Sequence, residues 1–433
     1  MGSFIILTTL TIEIVLVVLC LITKSNQEKI RSIIRIIAFA AFILLTILNI
    51  IAWSIRFFTL AAVILILGLS GMLTLMSKKK EKNIYKKRDV ILKALGLILI
   101  IFIATIPSII FPPYEPIKPT GKYQVGTQTY TYTDSERVET YTDTGDNRKL
   151  NVKLWFPQNA FGKYPLIIFS HGSFGIKTSN ESLFNELASH GYVVGSIDHT
   201  YQCLYTADKG GHITLMAKSY VQEIVNQDAH SRKQQSYEYF QKWMNIRTRD
   251  INFVLNHILA EAKNNVAESV YKLVDTSKIG VMGHSLGGSA ALGIGRMRND
   301  VSGVVALESP FMCDIEGVKD DQFVFTAKVY PVPVLNIYSD DSWGYLDKWP
   351  QYAENYALLA NTNATAFNVH IRGVGHLTLT DLALASPFLT NLLNRQKSIT
   401  NTRYCLTTIN NLCLEFFDCY LKGEGGFECE GTY

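Results

Sequence analysis

The chain has 433 residues, room for one large domain and a smaller companion. A net charge of +4, with 18% of residues charged, leaves too little basic excess for nucleic-acid binding. Mean hydropathy is +0.13, and the apolar excess is concentrated in the first 111 residues.

Four apolar runs open the chain, at residues 5–22, 36–53, 57–76 and 91–111. Each is close to the ~20 residues a helix needs to cross ~30 Å of hydrocarbon. No small-residue cleavage site follows the first, so all four read as spans rather than as a signal peptide and three spans. Residues 1–111 are therefore expected to form an all-α four-helix transmembrane bundle in contact with membrane lipids. Lys24, Lys29, Arg31 and Arg35 crowd the first loop. Lys78, Lys79, Lys80, Lys82, Lys86, Lys87 and Arg88 crowd the third, while the second has only Arg56. The basic loops face the cytoplasm. That predicts a multi-pass cell-membrane protein whose chain from Pro112 onward is extracytoplasmic. Glu13, inside the first run, is either an intramembrane functional carboxylate or a residue of the outer interface.

Residues 112–120 contain Pro112, Pro113, Pro116 and Pro119, a semi-rigid spacer that marks a boundary. Beyond it, segments 126–133 and 136–141 read as edge strands. Residues 149–156 alternate Leu150, Val152, Leu154 and Phe156 against mostly polar neighbours, a strand buried on one face. Further strands are expected at 166–169, 192–197, 278–282, 301–307, 332–338 and 366–371, with helices at 181–191 and around 251–259. Alternation of strands and helices predicts an α/β domain over 121–398 with a mostly parallel central sheet. The polar-rich insertion 201–241 is expected to cap it, and residues 399–433 form a cysteine-bearing tail.

Chemistry concentrates at Gly283-His284-Ser285-Leu286-Gly287-Gly288, which follows a short apolar strand and opens a helix of small residues. A serine in Gly-x-Ser-x-Gly at a strand-to-helix turn is a nucleophile elbow. Serine is a poor nucleophile unless a base is in reach and a carboxylate orients that base. Of nine histidines, only His370 and His376 lie well after Ser285. His370 sits within a strand, where packing holds it. His376 ends a glycine-rich loop after the last strand and is the candidate base. Two positions compete for the acid: Glu308, ending the strand after the elbow, and Asp340 with Asp341, ending the next. An oxyanion needs two fixed N–H donors. Leu286 follows the nucleophile, and Ser173 lies in the glycine-bounded loop after the 166–169 strand. His171 in that loop is expected to be structural.

Four segments resemble the platelet-activating factor acetylhydrolases of plasma type and their bacterial relatives, which are α/β-hydrolases. They are Phe169-Ser170-His171-Gly172, the Leu187-to-Val194 stretch, residues 279–288, and Ile371-to-His376 with Asp381 beyond. The stretch 130–155, with Asp134, Arg137, Glu139 and Arg148, is similar to the entry of the bacterial members. The likeness runs over about 121–393 and leaves out the apolar quarter and the tail. It places the nucleophile on Ser285, the base on His376 and the oxyanion donors on Ser173 and Leu286. By spacing from the serine it places the acid on Glu308, where the family carries aspartate. It implies hydrolysis of short or oxidised acyl esters, phospholipids included, with no metal or cofactor.

Cys405, Cys413, Cys419 and Cys429 lie in the tail without histidine or C-x-x-C spacing, which argues against zinc. They read either as two disulfides, in one of three pairings, or as free thiols. The leading expectation is a membrane-anchored serine esterase acting on a small ester or lipid. An acyltransferase or deacylase of cell-wall polymers and a catalytically silent tethered binding protein are the alternatives.

Overall fold

The structure is a computed structural model that describes residues 2–48, 50–51, 54–77, 85–264, 270–360 and 363–433. It divides into two compact units: Met1–Tyr114 with Ala385–Phe388, and Glu115–Leu384 with Leu389–Tyr433.

The first unit is built from α1 (Gly2–Thr23), α2 (Glu28–Ile47), α3 (Phe58–Met76) and α4 (Lys87–Ile110). Among the described residues, α2, α3 and α4 are long and apolar enough to cross a membrane. The apolar stretch Thr8–Thr23 of α1 is shorter. Ile37, Leu44, Ile66, Leu73, Leu95 and Ile103 are left uncovered on the helices, as lipid-facing residues would be. The second helix begins at Glu28, not near residue 36, so Lys29, Arg31 and Arg35 belong to it rather than to a loop. One of these charges has a buried partner. Glu13 on α1 is buried and takes both Nε and Nη2 of Arg35, at 2.8 and 2.9 Å, which lets a charged turn pack against a neighbour. Small residues bring α2 and α3 together: a Cβ on Gly68 would meet Phe39 Cβ at 2.9 Å, and one on Gly71 would meet Ser32 O at 2.8 Å. Trp53 and the lysines at 78, 79, 80 and 82 lie outside the described residues.

The second unit has an eight-stranded sheet: β1 (Val125–Val138), β2 (Asn147–Pro157), β3 (Tyr164–Ser170), β4 (Val193–Asp198), β5 (Val274–His284), β6 (Val301–Leu307), β7 (Val334–Tyr338) and β8 (Ala366–His370). Their spatial order is β1-β2-β4-β3-β5-β6-β7-β8. β2 runs antiparallel to both neighbours, and the remaining pairs are parallel. Where the sequence suggests two edge strands, one strand runs. Its register breaks between Asp134 and Val138, because Asp134 turns its carboxylate onto the Glu136 amide and Arg137.

Helices cover both faces. On one, α7 (Lys233–Lys263) and α8 (Leu286–Met297) bury Phe240, Ile251, Val254, Leu255, Ile258 and Ala290 against the sheet. The last nine residues of the expected cap are thus the start of α7, because Phe240 continues its apolar stripe. The rest of the insertion holds a short hairpin and α6 (Lys218–Asn226). On the other face lie α5 (Glu181–Ser189) and α9 (Thr402–Phe417). α9 is no free tail. Cys405, Leu406, Ile409, Leu412, Cys413 and Phe416 recur at helical spacing and are buried with Leu335, Ile337 and Val369 of the sheet. All seven cysteines are free thiols.

Register aligns the carboxyl ends of the strands: Ser170 pairs Gly283, His284 pairs Leu307, and Tyr338 pairs His370. The loops that leave these ends share one edge of the sheet, where open α/β sheets form their binding crevices.

Candidate active site

Ser285 joins β5 to α8 with φ 54° and ψ −127°, a backbone conformation that L-residues rarely hold. Its N–H donates to Leu307 O at 2.8 Å, and its carbonyl accepts from Ser289 N at 3.0 Å. A Cβ on Gly287 would stand 2.0 Å from Ser170 O, so the turn forms only with glycine there. This is the geometry that the Gly-x-Ser-x-Gly spacing predicts, and it presents a half-buried Ser285 at the sheet edge.

Glu308 ends β6, also at positive φ (50°), and is buried. Its Oε2 stands 3.5 Å from His376 Nδ1 and accepts the Ser339 amide at 3.3 Å. Burial by itself would raise the Glu308 carboxyl. The hydrogen bond and charge of His376, with help from Ser339 and Ser342, more than offset this and hold it below the ordinary glutamate value. The two alternative carboxylates are occupied elsewhere. Asp340 takes His370 Nε2 at 2.7 Å and the Gly373 amide at 2.8 Å. Asp341 accepts the His376 backbone N–H at 2.8 Å, together with the amides of Arg395 and Gln396, and so fixes the loop rather than the ring. His370 stacks on Trp343 with ring centroids 4.9 Å apart.

His284 joins these parts. Its ring lies 4.4 Å from that of His376, and its Nε2–H donates to His376 O at 3.1 Å. The structure therefore brings Glu308 to His376, and His376 to the residue that precedes Ser285.

The loop after β3 lies against Ser285: a Cβ on Gly172 would be 3.2 Å from Ser285 Cβ. Its carbonyls are tied away from the site. His171 O accepts from the Arg247 guanidinium; Gly172 O accepts from His171 Nδ1 at 2.7 Å and from Gly175 N at 3.1 Å. In a planar trans peptide the N–H points opposite the carbonyl. The amides of Gly172 and Ser173 are therefore turned the other way, and neither has an acceptor among the described residues. Ser173 Oγ lies 3.0 Å from Tyr220 OH of α6, so the insertion clamps this loop from above.

Beneath the loop lies a buried ionic network. Arg148 grips Asp250 through Nε and Nη2 at 2.7 and 2.6 Å and binds Glu139 at 2.7 Å. Arg137 reaches Asp250 at 2.8 Å. His199 Nδ1–H donates to Asp250 Oδ2 at 2.9 Å, and its Nε2 accepts from Ser170 Oγ at 2.8 Å. Burial alone would raise Asp250; Arg148 and then His199 hold it far below the carboxylate range. Burial, then the Arg247 charge, depresses both His171 and His199, which are neutral. His171, Asp198 and Cys203 each place a ligand atom within 4.8 Å of the others. Asp198 already accepts the Lys177 amide and pairs with the Lys177 ammonium, both at 2.5 Å, so a cation there would compete with a built-in one.

Sequence reasoning leaves His284, Tyr220, His199, Arg247 and Asp250 without a role. A signal exists for one of them: Arg247 stands four residues before Ile251, on the stripe that Val254, Leu255 and Ile258 continue. A charge on an apolar helix stripe needs a buried partner.

Residues 114–428 match the family described as platelet-activating factor acetylhydrolase, isoform II. That range reaches past the likeness read from motifs and takes in α9. The platelet-activating factor acetylhydrolase of Canis lupus familiaris is 31% identical over 145 residues, 30% of this chain and 31% of that one. That of Cavia porcellus is 21% identical over 305 residues, 65% of this chain and 63% of the relative. Each alignment thus spans less than two thirds of the relative's length. Among solved structures, a ferulic acid esterase from Streptomyces cinnamoneus superposes with a TM-score of 0.53 at 21% identity. It covers 71% of this chain and 93% of that one, a likeness of fold.

Proposed function

The chain belongs to the platelet-activating factor acetylhydrolase, isoform II family, and from that premise we propose that it is a membrane-anchored serine esterase. It cleaves short-acyl carboxylic esters, sn-2 acyl groups of phospholipids among them. Ser285 Oγ attacks the ester carbonyl while His376 takes its proton, and Glu308 holds the imidazole in the tautomer that can accept it. The amides of Leu286 and Ser173 receive the developing oxyanion. The alcohol leaves with the proton from His376, and water, deprotonated by the same base, releases the acid and restores Ser285. No metal or cofactor enters this scheme.

The observation that carries the reading is the Glu308–His376 approach of 3.5 Å beside an elbow serine at φ 54°. Such contacts are often long in a free enzyme and tighten around substrate. The test is acetate release from p-nitrophenyl acetate by the full chain. Ser285→Ala should abolish turnover and labelling by a fluorophosphonate probe. Glu308→Ala should lower kcat by about 10²–10⁴-fold, and Asp340→Ala by no more than a few fold. Turnover that survives Ser285→Ala would end this reading.

Anchoring rests on α2–α4, a fourth span would take α1 as well, and the outward catalytic unit follows from the lysine- and arginine-rich segments. Labelling of single introduced cysteines by an impermeant thiol reagent on intact cells tests it. A site in the hydrolase unit that reacts only after lysis would reverse the orientation.

A further inference from the structure

The insertion between β4 and α7 carries a two-stranded hairpin, Tyr205–Ala207 paired with Ile213–Leu215. Alternation puts Tyr205, Ala207, Ile213 and Leu215 on one face and Thr206 and Thr214 on the other. A hairpin laid on a globular core ordinarily turns its apolar face inward. This one is reversed: Tyr205, Ile213 and Leu215 are 44%, 61% and 67% exposed, while Thr206 is 1% exposed. Buried polar bonds lock the reversal. Thr206 Oγ1 donates to Asp198 Oδ2 at 2.6 Å and accepts from Asn151 Nδ2 at 2.8 Å. At the turn, the Lys209 amide donates to Thr131 Oγ1 at 3.1 Å. Flipping the hairpin would strand Asn151 and Asp198 without these partners, so the apolar side is held outward.

The exposed face continues to the mouth of the candidate site. Leu204, itself exposed, donates its N–H to Gly175 O at 3.2 Å, at the end of the loop that carries Ser173, and Phe174 of that loop is exposed at positive φ (62°). The rim is cationic. Lys209 and Lys218 are exposed and make no ion pair among the described residues, while the Asp208 carboxylate is taken up by the His212 amide at 2.9 Å.

We propose that this hairpin, with Leu204 and Phe174, is a lipid-docking face that seats in the headgroup–acyl boundary of a bilayer containing anionic lipid. Apolar side chains flanked by two lysines match that boundary, where burial of apolar area and attraction to anionic headgroups add. The same chain carries three helices long and apolar enough to cross a membrane. Docking does not depend on the esterase reading; its purpose, delivering lipid esters to Ser285, does.

The test uses the full chain in nanodiscs of phosphatidylcholine with about 30% phosphatidylglycerol. A polarity-sensitive fluorophore on Leu215→Cys, corrected for labelling of the native cysteines, should shift to the blue and be quenched by bromolipid. In the same discs, Ile213→Glu with Leu215→Glu should lower hydrolysis of a short-acyl phospholipid by about tenfold and p-nitrophenyl acetate hydrolysis by less than about twofold. A label that stays in water overturns docking. So does a label shielded equally without lipid, which would indicate a protein partner or second copy, and so does a double variant that keeps full phospholipid turnover. If the label enters lipid but the unsubstituted chain cleaves neither ester, docking stands and the esterase reading falls.

Discussion

His284 touches both loops that the proposed chemistry needs. It contacts the His376 loop through its ring and Nε2–H. It leaves no room for a side chain at residue 172, where a Cβ would meet its Nδ1 at 2.8 Å. Burial, then the neighbouring His376 charge, holds its pKa well below 6.5, so it is neutral and does not oppose an imidazolium on His376. We expect His284→Phe, which keeps a ring and loses the donor, to lower kcat about 10–100-fold with KM changed less than about twofold. His284→Gln, with an amide donor, should recover part of this in the same steady-state assay. Full activity in His284→Phe would remove the residue from the argument. Glu308 makes a second prediction. Its folded pKa lies below the ordinary 4.5, so its ionisation contributes stability that is present above 4.5 and is lost as pH falls through the folded value. Glu308→Gln does not titrate. The melting temperature of the unsubstituted chain should therefore drop relative to Glu308→Gln as pH is lowered from 6 to below about 4.5. Parallel melting curves would contradict it.

At the scale of elements, α9 shows how an apparent appendage completes a core. Phe416 and Phe417 are fully buried, and a Cβ on Gly280 of β5 would lie 2.7 Å from Phe417 Cε1. The helix thus packs directly against the strand that leads to Ser285. Phe417→Ala should cost about 3–5 kcal/mol of stability in the α/β unit, read as a lower melting temperature. Because the cavity opens beneath β5, fluorophosphonate labelling of Ser285 should be lost in step with melting. A variant that melts normally would mean that α9 is dispensable. The periodicity of α9 is legible in the sequence, but the cysteines in it draw the eye to disulfides. In the fold they are small apolar residues of a helix face.

At the scale of the whole molecule, the chain joins an apolar helical unit to an α/β unit, and each has an internal charge arrangement that its sequence pattern conceals. In the first unit, Glu13 and Arg35 meet across 22 residues of chain. Glu13→Gln would leave Arg35 without its counter-charge in a low-dielectric setting, a cost of about 3–5 kcal/mol for a buried pair. In detergent, scanning fluorimetry of the full chain should show a lower first transition for Glu13→Gln, largely restored by the swap Glu13→Arg with Arg35→Glu. An unchanged transition in the single variant would make the pair incidental.

What the sequence determines alone is what depends on near neighbours in the chain. The elbow is one case in part: Gly283 is demanded by the backbone of Gly287 four residues on, whereas Gly287 itself is demanded by Ser170 O of another strand. Apolar runs and strand alternation are others, since periods of 3.6 and 2 follow from backbone geometry. What the tertiary structure decides is which distant groups meet. Glu308 and Asp340 end adjacent strands, and their local sequences do not rank them. Only the course of the loop after β8 brings His376 to the first and leaves His370 with the second. Asp250 looks like a solvent-facing charge until the sheet lays Arg148 against it, and the partner that Arg247 needs is named only when the fold brings His171 O to it. Arg35 finds its counter-charge only on another helix, at Glu13. The outward apolar face of the hairpin is settled in the same way, by Asp198 and Asn151 of the sheet rather than by anything in the hairpin itself.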